Sequence, residues 1–140
     1  MLKVVLDTSI LVSAFLKHEG VNAKILHGGK DEYELYLSED ILEETSLVLL
    51  TYERIRKKYH YTDDEAFEYL ETLRVVAREV IKKLPKIRVI ERDPKDDPIL
   101  ACALKVKADY IVSKDDHLTD LKEYRGIKIV SSQEFLELLK

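Results

Sequence analysis

Residues 2–15, Leu2-Lys3-Val4-Val5-Leu6-Asp7-Thr8-Ser9-Ile10-Leu11-Val12-Ser13-Ala14-Phe15, pass from a valine-rich apolar run through an Asp-Thr-Ser turn to apolar positions at helical spacing. This is the pattern of a strand, a turn and a helix. Outward from it the alternation continues. Gly20 and the Gly28-Gly29 pair bracket a short second helix carrying Ala23, Ile25 and Leu26, and residues 33–37 alternate apolar and polar as a second strand. Ser38 is placed to cap a helix running to about residue 59, with Glu39 and Asp40 in its favoured first turn. Thr62-Asp63-Asp64-Glu65 is a capping box, and Phe67, Leu70, Ala77, Val80, Ile81 and Leu84 mark one face of a helix that ends at Pro85. These two helices form a hairpin. Ile87, Val89 and Ile90 predict a third strand, residues 98–107 a helix, 110–113 a fourth strand and 127–130 a fifth. Ser131-Ser132-Gln133-Glu134 is a second capping box before a C-terminal helix with Phe135, Leu138 and Leu139 on its apolar face.

Strands alternating with helices call for an α/β fold. The expected architecture is a three-layer α/β/α sandwich with a central parallel sheet of four to five strands and a helical hairpin inserted after the second. At 140 residues the chain fits one domain spanning 1–140. A composition of 46% hydrophobic and 36% charged residues excludes a disordered tail. No apolar run is long enough for a bilayer span or signal peptide, so the expected location is the cytoplasm. The single cysteine, Cys102, excludes an internal disulfide and a multi-thiolate zinc site, and reads as a small core hydrophobe. The formal charge of −4 means that a nucleic-acid partner needs a local basic surface or bound cations.

Open parallel sheets bind ligands at the carboxyl ends of their strands. Asp7 closes the first strand, Asp93, Asp96 and Asp97 follow the third, and Asp115 and Asp116 follow the fourth. Crowded carboxylates raise one another's pKa, and a cation relieves them; oxygen-only ligands suit Mg2+ or Mn2+. Each acid also has a plainer reading: Asp7 as an N-cap, Asp96 or Asp97 as a cap beside Pro98, and Asp115 and Asp116 as turn residues. Glu44, with Ile41, Leu47 and Val48 as helical neighbours, is expected at the border of an apolar stripe and further inward than Glu43, where it either joins the site or reaches to solvent.

The segments VVLDTSILVSA, LSEDILEETSLVL, DPKDDPILACAL and ADYIVSKDDHLTDL, in that order, with IKIVSSQEFLELL closing the chain, resemble the PIN domain, and within it the toxin components akin to VapC. The resemblance covers nearly the whole chain. It implies a four-acid metal site that maps onto Asp7, Glu44, Asp96 and Asp115, with Asp97 and Asp116 adjacent and able to take over a ligand role. Ser9 stands where asparagine is frequent in that branch, and Ser113 where threonine is frequent; both keep a small polar side chain. The implied activity is metal-dependent endonucleolytic cleavage of single-stranded RNA, leaving a 5′ phosphate. The implied partners are RNA, an antitoxin protein and a second copy of the chain as a homodimer, with no membrane.

With such a site, Asp7, Asp96 and Asp115 would hold the ion, and Glu44 a second ion or the attacking water. Thr8, Ser9 and Ser113 would anchor carboxylates or contact phosphate, against a plainer reading as turn and cap hydroxyls. Arg54, Arg56, Lys57 and Lys58 cluster with Tyr52, Tyr59, His60 and Tyr61 at the hairpin tip, which suits phosphate contacts and base stacking, against a solvated helix face. His117 reads as a turn residue. Two other classes stand beside this one: a catalytically inactive PIN-like module that binds nucleic acid or protein, and an aspartate-based phosphatase or phospho-receiver. The last is weakened because Ser9 occupies the place of a phosphatase's second aspartate and Leu6 precedes Asp7 where a receiver wants an acidic pair.

Overall fold

The computed structural model describes residues 1–28, 31–87 and 97–140. At the centre of its sheet β1 (Lys3–Leu6) lies between β2 (Glu34–Ser38) and β4 (Tyr110–Val112). Outside β2 comes β3 (Glu79–Ile81), and outside β4 come β6 (Ile127–Val130) and then β5 (Glu123–Tyr124). All neighbours are parallel except β5 and β6. Val5 aligns with Tyr36 on one side and Ile111 on the other. Val4, Val5 and Leu6 are all 0% exposed, as expected for a strand covered on both faces.

Helices connect the strands: α1 (Thr8–Leu16) and α2 (Val21–His27) before β2, then α3 (Glu39–Thr51), α4 (Glu53–Tyr59) and α5 (Asp63–Val76) before β3. α6 (Asp97–Val106) precedes β4, the single turn α7 (Asp116–Thr119) follows it, and α8 (Ser132–Leu139) ends the chain. The caps fall where the sequence puts them. Ser38 Oγ accepts from the Ile41 N–H at 3.1 Å, and both capping boxes, Thr62 with Glu65 and Ser131 with Glu134, are closed in both directions. No described helix is long and apolar enough to cross a membrane.

Three elements depart from expectation. The helix expected to reach Pro85 ends at Val76, and Glu79–Ile81 joins the sheet, Leu37 aligning with Val80. Ala77 turns extended, and the Arg78 N–H donates to the Leu35 carbonyl at 2.7 Å. The open edge of β2 offers hydrogen bonds to β-branched Val80 and Ile81, residues whose helical spacing alone could not distinguish the two states. Ile87, assigned to the third strand, is outside any strand, and the remainder of that stretch, 88–90, lies outside the described residues. The sheet also gains β5, which turns back on β6 through Arg125 (φ 48°) and Gly126 (φ 86°). Two successive left-handed residues make the tight hairpin turn that matches strand twist, and the second needs glycine.

The third departure is at the hairpin tip. The helix expected to run to about residue 59 breaks at Tyr52 (ψ 97°), separating α3 from α4. A helix end leaves carbonyls without partners. Here the Leu49 carbonyl accepts from Tyr61 Oη at 2.6 Å and from Arg56 Nη1 at 3.1 Å, while the Val48 carbonyl takes the Tyr52 N–H. Leu49, Tyr61 and Ala66 form a satellite core on which Val12, Phe15, Leu16, Ile55 and Tyr59 pack, so α4 is tied to α1. Removing the Tyr61 hydroxyl should therefore loosen the tip. Tyr61→Phe is expected to cost about 1 kcal/mol, read as a lower urea midpoint at unchanged slope. An unchanged midpoint would show that Arg56 alone satisfies the carbonyl.

Candidate active site

The chain lays β1, β2 and β3 outward on one side, then returns to place β4 on the other side of β1. The switch lies between the carboxyl ends of β1 and β4, where an open α/β sheet has its crevice. Asp7 leaves one of these ends, and Ser113, Lys114 and Asp115 leave the other. The Asp7 N–H donates to the Val112 carbonyl at 3.0 Å, which fixes the two loops side by side.

A network of hydroxyls joins them. Asp7 Oδ1 accepts from the Thr8 N–H at 2.7 Å, and Oδ2 accepts from Ser113 Oγ at 2.6 Å and from Ser9 Oγ at 3.2 Å. Ser113 Oγ in turn accepts from the Asp115 N–H at 2.9 Å, and Ser9 Oγ from the Lys114 N–H at 3.2 Å. Oδ2 is thus saturated, while Oδ1 keeps a lone pair. Asp7 is 6% exposed. Burial pushes its carboxyl above the ordinary value; the hydrogen bonds from Ser113, Thr8 and Ser9 oppose this, and the charge of Asp115 adds to it. Asp115 also caps α7, its Oδ1 accepting the His117 N–H at 2.9 Å. Cap and site are therefore compatible readings of both aspartates. Thr8 Oγ1 is buried and meets no hydrogen-bond partner among the described residues.

The other expected site residues are distributed differently. Asp96 and Asp93 lie outside the described residues. Asp97 begins α6 and lines a cavity of about 590 Å3 with Asp40 and Lys86. Asp116 is exposed in the first turn of α7. Glu44 is exposed, as is Glu43, so of its two readings at the border of the stripe the reach to solvent is the one this structure displays. The buried stripe of α3 is Ile41, Leu42, Thr45 and Leu49, and Leu47 is 57% exposed. Thr45 can occupy a core position because its hydroxyl donates to the Ile41 carbonyl at 2.8 Å. Of the basic cluster, Arg56 is held within the fold, its Nη2 2.6 Å from Asp63, and Lys57 lies 4.0 Å from Glu53. Arg54 and Lys58 project beside Ser9 and Lys114. Sequence reasoning passed over Lys114; its position between Ser113 and Asp115 was the available signal. Cys102 is fully buried, with burial the main cause pushing its thiol up to about 12, as befits a core residue and no nucleophile.

Among the described residues no three His, Cys, Asp or Glu side chains converge to hold a metal. Asp7 and Asp115 supply two carboxylates. Their oxygen chemistry, the remaining lone pair of Asp7 and the partnerless Thr8 hydroxyl fit a hard cation of the Mg2+ or Mn2+ kind.

A family model of the PIN domain matches residues 3–117. No curated protein matches the chain. Among solved structures, the chain is similar to one in VapBC2 from Rickettsia felis bound to a DNA fragment from their promoter. The TM-score is 0.63 at 15% sequence identity, over 93% of this chain and 98% of that one, a likeness of fold.

Proposed function

This chain belongs to the PIN domain family, and on that premise we propose that it is a metal-dependent endoribonuclease, the toxin of a toxin–antitoxin pair. The observation that carries the reading is the buried Asp7 carboxylate joined to Asp115 through Ser113 at the switch point of the sheet. A VapBC2 complex has a chain of the same fold, which supports an antitoxin as partner here. A homodimer and a cytoplasmic location accompany the proposal.

In this reading Asp7, Asp96 and Asp115 would hold Mg2+ or Mn2+, Glu44 would support a second ion or the attacking water, and Asp97 and Asp116 would be the adjacent substitutes. When bound, such an ion would supply positive charge to polarise the scissile phosphate and lower the pKa of a water. The protein's own contribution is alignment. Ser113 and Ser9 hold Asp7 Oδ2, so the carboxylate presents Oδ1 in one orientation. Because Ser9 also receives the Lys114 N–H, the same hydroxyl positions the loop that carries Asp115. Thr8 donates its N–H to Asp7 Oδ1, and its buried, partnerless hydroxyl would donate to a phosphoryl oxygen only once substrate binding opens a path to it. Water attacks phosphorus, the P–O3′ bond breaks, and the products carry a 5′ phosphate and a 3′ hydroxyl.

Labelled single-stranded RNA incubated with the protein in Mg2+ or Mn2+ tests this directly. The expected result is internal cleavage that chelator abolishes. Intact RNA with either ion would leave the inactive interaction module as the better reading, and cleavage undiminished in excess chelator would remove the metal from the mechanism.

A further inference from the structure

A groove of about 270 Å3 opens between α1, α4 and the loop after β4. Lys17 from the end of α1, Arg54 and Lys58 from α4, and Lys114 line it, and among the described residues no carboxylate does. Four cations are thus gathered on one face of a chain whose formal charge is −4. Among the described residues none of the four is within ion-pair distance of an acid, whereas Arg56 and Lys57 in the same helix have Asp63 and Glu53. Arg54 and Lys58 are four residues apart on a helix, a spacing at which like charges repel unless an anion lies between them. The groove reaches the candidate active site at Ser9, whose Oγ joins Asp7 to the Lys114 N–H. Its floor is firm, because the α1 and α4 side chains beneath it pack on the satellite core. Tyr59 adds a ring face, over which Lys58 Nζ lies 5.5 Å from the centroid.

We propose that this groove is the backbone track of a single-stranded polynucleotide, with phosphates on Lys17, Arg54, Lys58 and Lys114, leading the strand past Ser9 to Asp7. The inference rests on the nuclease reading above and assigns its substrate path. A single strand is favoured over a duplex because Asp7 is recessed, and a diester held in a stiff double helix does not reach it. Cations along a groove with an aromatic face are the general means of holding such a strand. The track includes Arg54 and Lys58 of the basic cluster read from sequence, leaves out Arg56 and Lys57, and adds Lys17 and Lys114.

The test is binding of a fluorescein-labelled 12-nucleotide single-stranded RNA in chelator, followed by anisotropy across a salt series. Arg54→Ala with Lys58→Ala, and Lys17→Ala with Lys114→Ala, should each lower the slope of log affinity against log salt by about 1.4, two contacts at about 0.7 each, and weaken low-salt binding on the order of tenfold. Lys105→Ala with Lys128→Ala, which removes the same charge elsewhere, should change neither. Unchanged slopes in both groove variants, or an equal fall in the control, would overturn the proposal. So would tighter binding of a polyglutamate peptide than of the RNA, which would assign the groove to an acidic protein segment. Hydrolysis of bis(4-nitrophenyl) phosphate by the parent chain in Mn2+ tests the nuclease reading separately. Hydrolysis with unchanged slopes rejects the track alone; no hydrolysis and no RNA cleavage with lowered slopes rejects the nuclease and retains the track.

Discussion

Asp7→Asn is expected to lower RNA cleavage by at least about 100-fold, since even the partners of metal ligands cost 10–100-fold when lost, while leaving the metal-free protein as stable as the parent or more so. Asparagine caps a helix as well as aspartate does and can still accept the Thr8 N–H. Its amide, in the place of Oδ2, can donate to Ser113 Oγ and Ser9 Oγ, so the network survives with two bonds reversed. What disappears is a buried charge. Burial raises the Asp7 carboxyl in the folded state above its ordinary value of 3.8. A raised pKa contributes stability that is fully present below the unfolded value and is lost as pH rises through the folded one. At neutral pH the ionised Asp7 is therefore a net cost, about 1.4 kcal/mol for every tenfold gain in its affinity for the proton on folding. Urea denaturation in chelator should show Asp7→Asn at or above the parent at pH 7, with that advantage shrinking as pH falls toward 3.8. Added Mg2+ or Mn2+ should stabilise the parent and not the variant. A variant that still cleaves RNA and is stabilised by metal as the parent is would reduce Asp7 to a cap.

Phe135→Ala should produce the largest loss of stability, about 3–5 kcal/mol. The ring is 0% exposed. It meets Tyr33 edge-on at 5.3 Å and 82°, and Tyr110 at 6.1 Å and 57°, so one residue of the last helix holds the start of β2 and the start of β4 together. Truncation removes the ring's burial and leaves a cavity among side chains fixed by strands on either side of β1, which can close over it only in part. Ser132, hydrogen-bonded to Asn22, cannot hold α8 in place alone. Leu138, on the same helix but 48% exposed, is the comparison; Leu138→Ala should cost about 0.5 kcal/mol. A Phe135→Ala loss below about 1 kcal/mol in urea denaturation would mean that α8 lies outside the cooperative core.

The parts of this molecule legible in the sequence are those fixed by local chemistry. The valine run of β1, the Asp-Thr-Ser turn, and the Ser38, Thr62 and Ser131 caps each carry their own signal, and each is where it was expected. Asp7 and Asp115 could be brought together because parallel topology puts the ends of β1 and β4 side by side. What escaped depends on distant partners. Val80 and Ile81 are strand residues because β2 has an open edge, and α3 stops where Tyr61 and Arg56 reach back to the Leu49 carbonyl. The buried stripe of α3 escaped for a related reason: apolar Leu47 was counted toward it, whereas polar Thr45 satisfies its own hydroxyl and is the buried residue. In the basic cluster only tertiary contacts separate Arg56, bound to Asp63, from Arg54 and Lys58 in the groove.

The sheet closes, among the described residues, with three residues of β3 at one margin and two of β5 at the other. Long open margins are where β-proteins recruit foreign strands and start to aggregate, and very short ones with charged neighbours are a means of preventing it. Here Arg78 and Glu79 stand at one margin, and Lys122, Glu123 and Arg125 at the other. An invading strand would find two or three backbone positions to zip onto, too few to compensate for the chain entropy it gives up. Among the described residues the sheet thus offers strand-by-strand growth only these short margins.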